Sequence, residues 1–283
     1  RRTMVRSDGR VTAGVELARI ALPDDVPVVY SLARGDDGAV YLGTGNDGRI
    51  FRLRGERLEP FADTEQLLVS SLAVGSGGAL YAGTLPEGRI YRVAGDGSVS
   101  EIARPDGVEH VWALAYDAAR ELLFAGTGPE GRVYALDARG RAQLWWDADA
   151  GHVMSLAVGG EGALFAGTSG EAVVARLEGP GRAEIVHDFE GNEITALAHR
   201  DGVLAVGANE FPDPPRISAA HSKQRRATAG RAPRPGPGEG RIWRVGADGR
   251  AERLFAQDEG HITDLTILED GTIVGGTGRD GHI

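Results

Sequence analysis

The sequence predicts an all-β fold: a six-bladed β-propeller of four-stranded antiparallel sheets. Three observations predict it. A strand ending in Gly-Thr recurs at a near-constant interval, Asp-Gly and Gly-Gly pairs separate short apolar runs, and no helical period of comparable length competes. The pairs stand at Gly43-Thr44, Gly83-Thr84, Gly126-Thr127, Gly167-Thr168 and Gly276-Thr277, with Gly207-Ala208 as a degenerate copy. Their second residues lie 40, 43, 41, 40 and 69 positions apart, so a period of about 41 leaves about 28 residues inserted in the last interval.

Each copy opens with an apolar run, such as Val29 to Ala33, Val111 to Ala115 or Ile262 to Thr266. Small residues within these runs (Ser31, Ser71, Ala113, Ser155 and Ala196) would let neighbouring sheets approach near an axis. Asp37-Gly38, Gly77-Gly78, Asp201-Gly202 and Asp270-Gly271 then supply the positive-φ pairs that tight hairpins require. A second run follows, for example Ala79 to Thr84. A loop of the form acid-Gly-Arg opens a third strand, as in Glu87-Gly88-Arg89-Ile90-Tyr91, and turns such as Asp96-Gly97 lead to a fourth, more polar strand. Runs that are apolar on both faces and become polar toward the end of each unit suit sheets buried between neighbours and emerging at a rim.

Closure follows from counting. Six copies of strands one and two are present, but five of strands three and four follow them. Met4-Val5, the Asp8-Gly9-Arg10 turn and Val11 to Leu22 match the missing pair, so the amino terminus is expected to complete the last blade and remove an open sheet edge. The alternative is a fragment of a ring of seven or eight blades. Residues 1–283 then form one domain, a monomeric ring, with residues 211–238 inserted in blade five.

Composition narrows the partners. The net charge of −10 repels a phosphate backbone, which argues against nucleic acid as the main partner. No run approaches the eighteen or so apolar residues of a spanning helix. The absence of cysteine excludes disulfides and thiolate metal sites and leaves the compartment open. The insertion carries six prolines, six basic residues including Arg225 and Arg226, and one acid, a composition expected to stay disordered. A basic loop above an acidic ring makes Arg225 and Arg226 candidates for docking an anionic ligand.

The copies resemble the repeats of two-component-regulator propellers: an apolar strand, Asp-x-x-Gly, an aromatic strand ending in Gly-Thr, then a glycine and an apolar-aromatic strand. Val69 to Val93 carries that pattern nearly throughout. The NHL repeats and the streptogramin-lyase propeller are similar in period and glycine usage, whereas the Gly-His and Trp-Asp marks of WD40 blades are absent from their places. The regulator family often has Trp where this chain has Tyr41, Tyr81, Phe124 and Phe165. The resemblance implies periplasmic or other extracytoplasmic sensing, and a ligand face formed by the loops between strands two and three and those between blades.

Four polar residues fall on that face just before or at the start of strand one: His110, His152, Glu193 and His261, where blades one and two have Val28 and Leu68. If they converge on the channel mouth, imidazoles and a carboxylate could hold a divalent metal ion or another ligand. Histidines at strand starts also satisfy loop carbonyls, which is the competing structural reading. The acid-Gly-Arg loops recur in nearly every copy and read as a device of the repeat, with the arginines expected to bridge to the adjacent blade. Tyr91, Tyr134 and Trp243 read as packing between blades.

No Gly-x-Ser-x-Gly elbow, paired-histidine helix or phosphate loop announces catalysis. The expectation is a noncatalytic ligand- or protein-binding propeller, the sensing or scaffold module of a larger protein. Its partner would be a small molecule or protein segment on the channel face. The alternative is a metal-assisted lyase or lactonase.

Overall fold

The computed structural model describes residues 3–5, 11–13, 19–212, 238–278, 281 and 283. A hairpin of β1 (Thr3–Val5) and β2 (Val11–Ala13) comes first, paired in antiparallel register with Thr3 opposite Ala13. Unit one is β3 (Val29–Arg34), β4 (Val40–Thr44), β5 (Arg49–Arg54) and β6 (Arg57–Asp63). Unit two is β7 (Leu68–Val74), β8 (Leu80–Leu85), β9 (Ile90–Val93) and β10 (Val99–Ala103). Unit three is β11 (His110–Asp117), β12 (Leu122–Gly128), β13 (Arg132–Leu136) and β14 (Ala142–Asp147). Unit four is β15 (His152–Val158), β16 (Leu164–Ser169), β17 (Val173–Gly179) and β18 (Arg182–Asp188). Unit five is β19 (Glu193–Arg200), β20 (Val203–Glu210), β21 (Glu239–Val245) and β22 (Ala251–Gln257). Unit six begins with β23 (Ile262–Ile267) and β24 (Ile273–Thr277).

Units one to five are antiparallel meanders whose strands neighbour one another in chain order, while β23 and β24 form a two-stranded sheet, as do β1 and β2. Among the described residues no helix is long and apolar enough to cross a membrane.

The core lies between sheets, not within one. Tyr41 and Ile50 of unit one pack with Val69, Leu80 and Tyr91 of unit two. Phe124 and Val133 of unit three pack with Val153 and Leu164 of unit four, and Val174 and Phe189 of unit four with Ile194 and Val206 of unit five. Ala196 and Ala205 of unit five meet Ile262 and Leu265 of unit six. Fully burying one such Ile or Phe is worth about 1.5–3 kcal/mol, so successive sheets bind face to face through several of these per interface. Leu22 and Val26, preceding β3, cover Leu42 and Phe51 on unit one's remaining face.

The Gly-Thr signature has a physical cause at each position. A side chain on Gly43, Gly126 or Gly207 would stand 2.7–2.9 Å from a methyl of Val69, Val153 or Ile262, the branched residue of the next unit's first strand. Glycine therefore sets how closely the sheets nest. The following threonines are buried, and the hydroxyls of Thr44, Thr84 and Thr127 donate to the carbonyls of Arg49, Arg89 and Arg132 at 2.8–3.1 Å. Each closes the loop between strands two and three from inside.

The acid-Gly-Arg loops pair internally, and mostly not with the adjacent blade as the sequence suggests. Arg89 meets Glu87 at 2.7 Å and Glu101 of its own fourth strand at 2.8 Å; Arg132 meets Glu130 and Asp147 likewise. Arg49 reaches Asp25 and Arg241 reaches Glu190, both on segments preceding their units. In units two and three the third strand runs beside the fourth, so Arg89 and Arg132 at its start meet their own fourth strand before they meet a neighbour.

Candidate functional site at the channel and its mouth

Every first strand carries a β-bulge at one place. The register skips Tyr30, Ser70, Trp112, Met154, Thr195 and Thr263 in β3, β7, β11, β15, β19 and β23. A bulge turns its extra residue out of the ladder and re-aims the side chain. All six of these residues line one cavity of about 410 Å³, which the six first strands enclose together. A single cavity walled by the same position of six successive units is an axial channel.

Hydroxyls at or beside the bulges of units one, two, four and five tie the units together. Ser31 Oγ donates to Val69 O at 3.0 Å, Ser155 Oγ to Ile194 O at 2.7 Å and Thr195 Oγ1 to Ile262 O at 2.7 Å. Ser70 and Ser71 both reach Val111 O. Each acceptor is the branched residue at the next unit's bulge, and a hydroxyl from the preceding unit supplies its partner. Asn209, fully buried, extends the pattern: its amide donates to Ile262 O at 2.9 Å and accepts from Ile262 N at 2.7 Å.

At the mouth the structure brings His110 and His152 together, with ring centroids 5.7 Å apart and Trp112 edge-on to His152 at 5.6 Å. Trp112 Nε1 donates to His152 Nδ1 at 3.0 Å. The Nδ1 lone pair is thereby used, so neutral His152 carries its proton on Nε2 and presents a donor there. Burial, and then the neighbouring His110, hold the His152 pKa below its ordinary value. Gly128 leaves the space that the His152 ring occupies, because a Cβ there would fall within 2.8 Å of Cε1.

Glu193 accepts from Ser169 Oγ at 3.1 Å, across the Ser169–Glu193 pairing that fuses units four and five. Burial raises its carboxyl, offset in part by that hydrogen bond. His261 lies against Phe211, with ring centroids 5.3 Å apart and the planes tilted by 56°. Asn192 clamps Phe211, accepting its N–H at 3.0 Å and donating to its carbonyl at 2.7 Å. Inside the channel, Asp264 occupies the place that Ser31, Ser71 and Ser155 hold elsewhere; its crowded surroundings raise its carboxyl, and the Leu265 amide opposes this.

The four-residue metal set expected from the sequence is not assembled. Among the described residues no three His, Asp or Glu side chains gather so as to hold a metal ion. The reasons are local: Trp112 occupies a His152 nitrogen, Ser169 engages Glu193, and His261 is turned to Phe211. Arg225 and Arg226 lie outside the described residues, as does residues 213–237 of the insertion.

The bulge residues escaped the sequence reading, which stopped two positions earlier at His110 and its equivalents. The available signal was internal: Tyr, Ser, Trp, Met, Thr and Thr alternate between a constant Val or Ile and a constant small residue. Only unit six breaks the small-residue frame, with Asp264.

No protein-family model and no curated protein matches the sequence. Among solved structures, the chain is similar to a catalytically inactive virginiamycin B lyase from Staphylococcus aureus with quinupristin. The TM-score is 0.71 at 14% identity, over 97% of this chain and 84% of that one. A streptogramin B lyase gives 0.61 at 16% identity, over 90% and 92%. A nidogen/laminin complex gives 0.62 at 12% identity, over 84% of each chain. With the repeated antiparallel sheets and their shared channel, these likenesses make the chain a β-propeller of the streptogramin-lyase-like and NHL-like kind in fold.

Proposed function

We propose that this protein is a noncatalytic recognition propeller, the sensing or scaffold module of a larger protein, which takes a small ligand into the axial channel through the mouth formed by His110, Trp112 and His152. The observation that carries the reading is the ring of bulge residues: a constant frame sets six side chains of five kinds around one cavity of about 410 Å³, the size range of small-molecule sites. Function grafted onto a repeated scaffold takes this form. The lyase alternative gains no support from the mouth, where no three of the expected ligands gather among the described residues and His152 has spent a lone pair on Trp112.

The same reading closes the ring at six, with β1 and β2 lying outside β24 as the outer strands of the last blade. An antiparallel hairpin of β1 and β2, the form that the third and fourth strands take in units one to five, supports it. Thr263 and Asp264 also share one cavity with Val29 to Leu32.

The test is a ligand-observed NMR screen of a small-molecule fragment set against the wild type and Met154→Trp, which fills the channel. Binders are expected whose signals vanish with the variant while its melting curve stays cooperative. Binders indifferent to the substitution would overturn the reading.

A further inference from the structure

The channel's side chains are uniform in one chemical respect. The hydroxyl protons of Ser31, Ser70, Ser155, Thr195 and Thr263 all point at backbone carbonyls, and the Trp112 N–H points at His152. What these groups can still offer an occupant is lone pairs and a ring face. Tyr30, about half exposed, and Trp112 add aromatic walls, and Met154 adds a thioether. Asp264 adds a carboxylate, and among the described residues it has no ion pair and no Lys or Arg lines the cavity. Exposed backbone edges in a channel present donors and acceptors alike, so the side chains set the bias. Apart from the Tyr30 hydroxyl, that bias is electron-rich.

We infer that the channel ligand is an organic cation, a protonated amine with a compact apolar body, held by the Asp264 carboxylate with its body against Trp112, Tyr30 and Met154. An ammonium supplies donors to a wall whose side chains offer few, and aromatic faces attract cations. Asp264 stands where units one, two and four place a serine that bonds the next sheet. A carboxylate there gives up that architectural role, and cation binding supplies another. The net charge of −10 draws cations toward the ring. The inference rests on the channel being the recognition site.

The experiment uses three probes of one shape: 2-phenylethylammonium, 2-phenylethanol and 3-phenylpropanoate. Each is titrated by NMR at pH 7.5 into the full chain and into Asp264→Asn, Asp264→Ser and Met154→Trp. The expected result is tightest binding of the ammonium, weakened tenfold or more by either Asp264 variant and abolished by Met154→Trp. Asp264→Ser restores the residue of three other units, so it retains the fold if Asp264→Asn does not. Preference for the alcohol or the carboxylate, lost with Met154→Trp, would overturn the cation and leave the channel standing. Ammonium binding unaffected by Met154→Trp would overturn both, and failure of the ammonium to bind at millimolar concentration would overturn the cation.

Discussion

Replacing Gly167 by alanine tests how the sheets are held together. The added Cβ would lie 2.7 Å from Ile194 Cβ, closer still to its Cγ2, and 2.5 Å from Ser155 Oγ. Carbon atoms pack at about 3.5–4.0 Å, so units four and five must separate by roughly 1 Å. Overpacking of this kind costs about 1–3 kcal/mol. The same methyl displaces the hydroxyl that donates to Ile194 O at 2.7 Å, and an unsatisfied buried carbonyl costs about 1–3 kcal/mol more. The sum, about 2–6 kcal/mol, is a large part of a typical domain stability of about 5–15 kcal/mol. Urea unfolding monitored by tryptophan fluorescence measures it. Gly95→Ala is the control, because nothing stands within 4 Å of its added Cβ and its φ is not positive. In a double-mutant cycle, Ile194→Ala removes the obstructing Cγ2, so the pair should cost at least about 1 kcal/mol less than the two single changes added. Gly167→Ala within about 0.5 kcal/mol of wild type, or strict additivity, would refute the nesting argument.

Three further outcomes follow from the same geometry. Asp117 is buried and holds Arg120, which also reaches the carbonyl of Gly162 in the next unit. Arg120→Met should cost about 2–3 kcal/mol in chemical unfolding, less than breaking a fully buried pair because Arg120 is partly exposed, and a neutral result would contradict the clamp. Thr84→Val keeps the shape and removes the hydroxyl bonded to Arg89 O; a loss of about 1–2 kcal/mol is expected, and none would mean that the buried threonine only fills space. His152 is held below its ordinary pKa of 6.5 in the folded state, so the unfolded chain takes the proton first. Its contribution is complete above pH 6.5 and lost as pH falls from there toward the folded value. The partly buried His199 acts in the same direction, so the test is a difference. Between pH 7.5 and 5.5, His152→Gln should lose less stability than wild type, and parallel curves would contradict the assignment.

The parts of the fold legible in the sequence are those that repetition fixes. Gly43, Gly83, Gly126, Gly167 and Gly207 repeat because each must admit a branched side chain from the next sheet, and that requirement imposes the period. Ser31 and Ser155 read correctly as residues of close approach, and the structure adds that their hydroxyls bond across the approach. The bulges were not legible. One extra residue between Val69 and Ser71 leaves the apolar run looking continuous, and only pairing reveals that Ser70 has left the ladder. His110 and His152 were found as a pair of candidates, but their relation to Trp112 depends on that same bulge. The arginines of the turn loops show a related limit. Spacing says that Arg89 and Arg132 follow an acid, and only the hairpin geometry selects Glu101 and Asp147 as second partners.

The central claim is that six sheets surround one axis. The chain has no cysteine, so spin labels attach only where cysteine is introduced. Asp36, Ser76, Gly160 and Glu269 hold the exposed turns between the first two strands of units one, two, four and six. Pulsed electron resonance on the pairs 36/76, 36/160 and 36/269 then measures the ring. The account predicts that 36/269 matches 36/76, as neighbours on a closed ring of six must, and that 36/160 is the longest. A 36/269 separation exceeding 36/160 would contradict it.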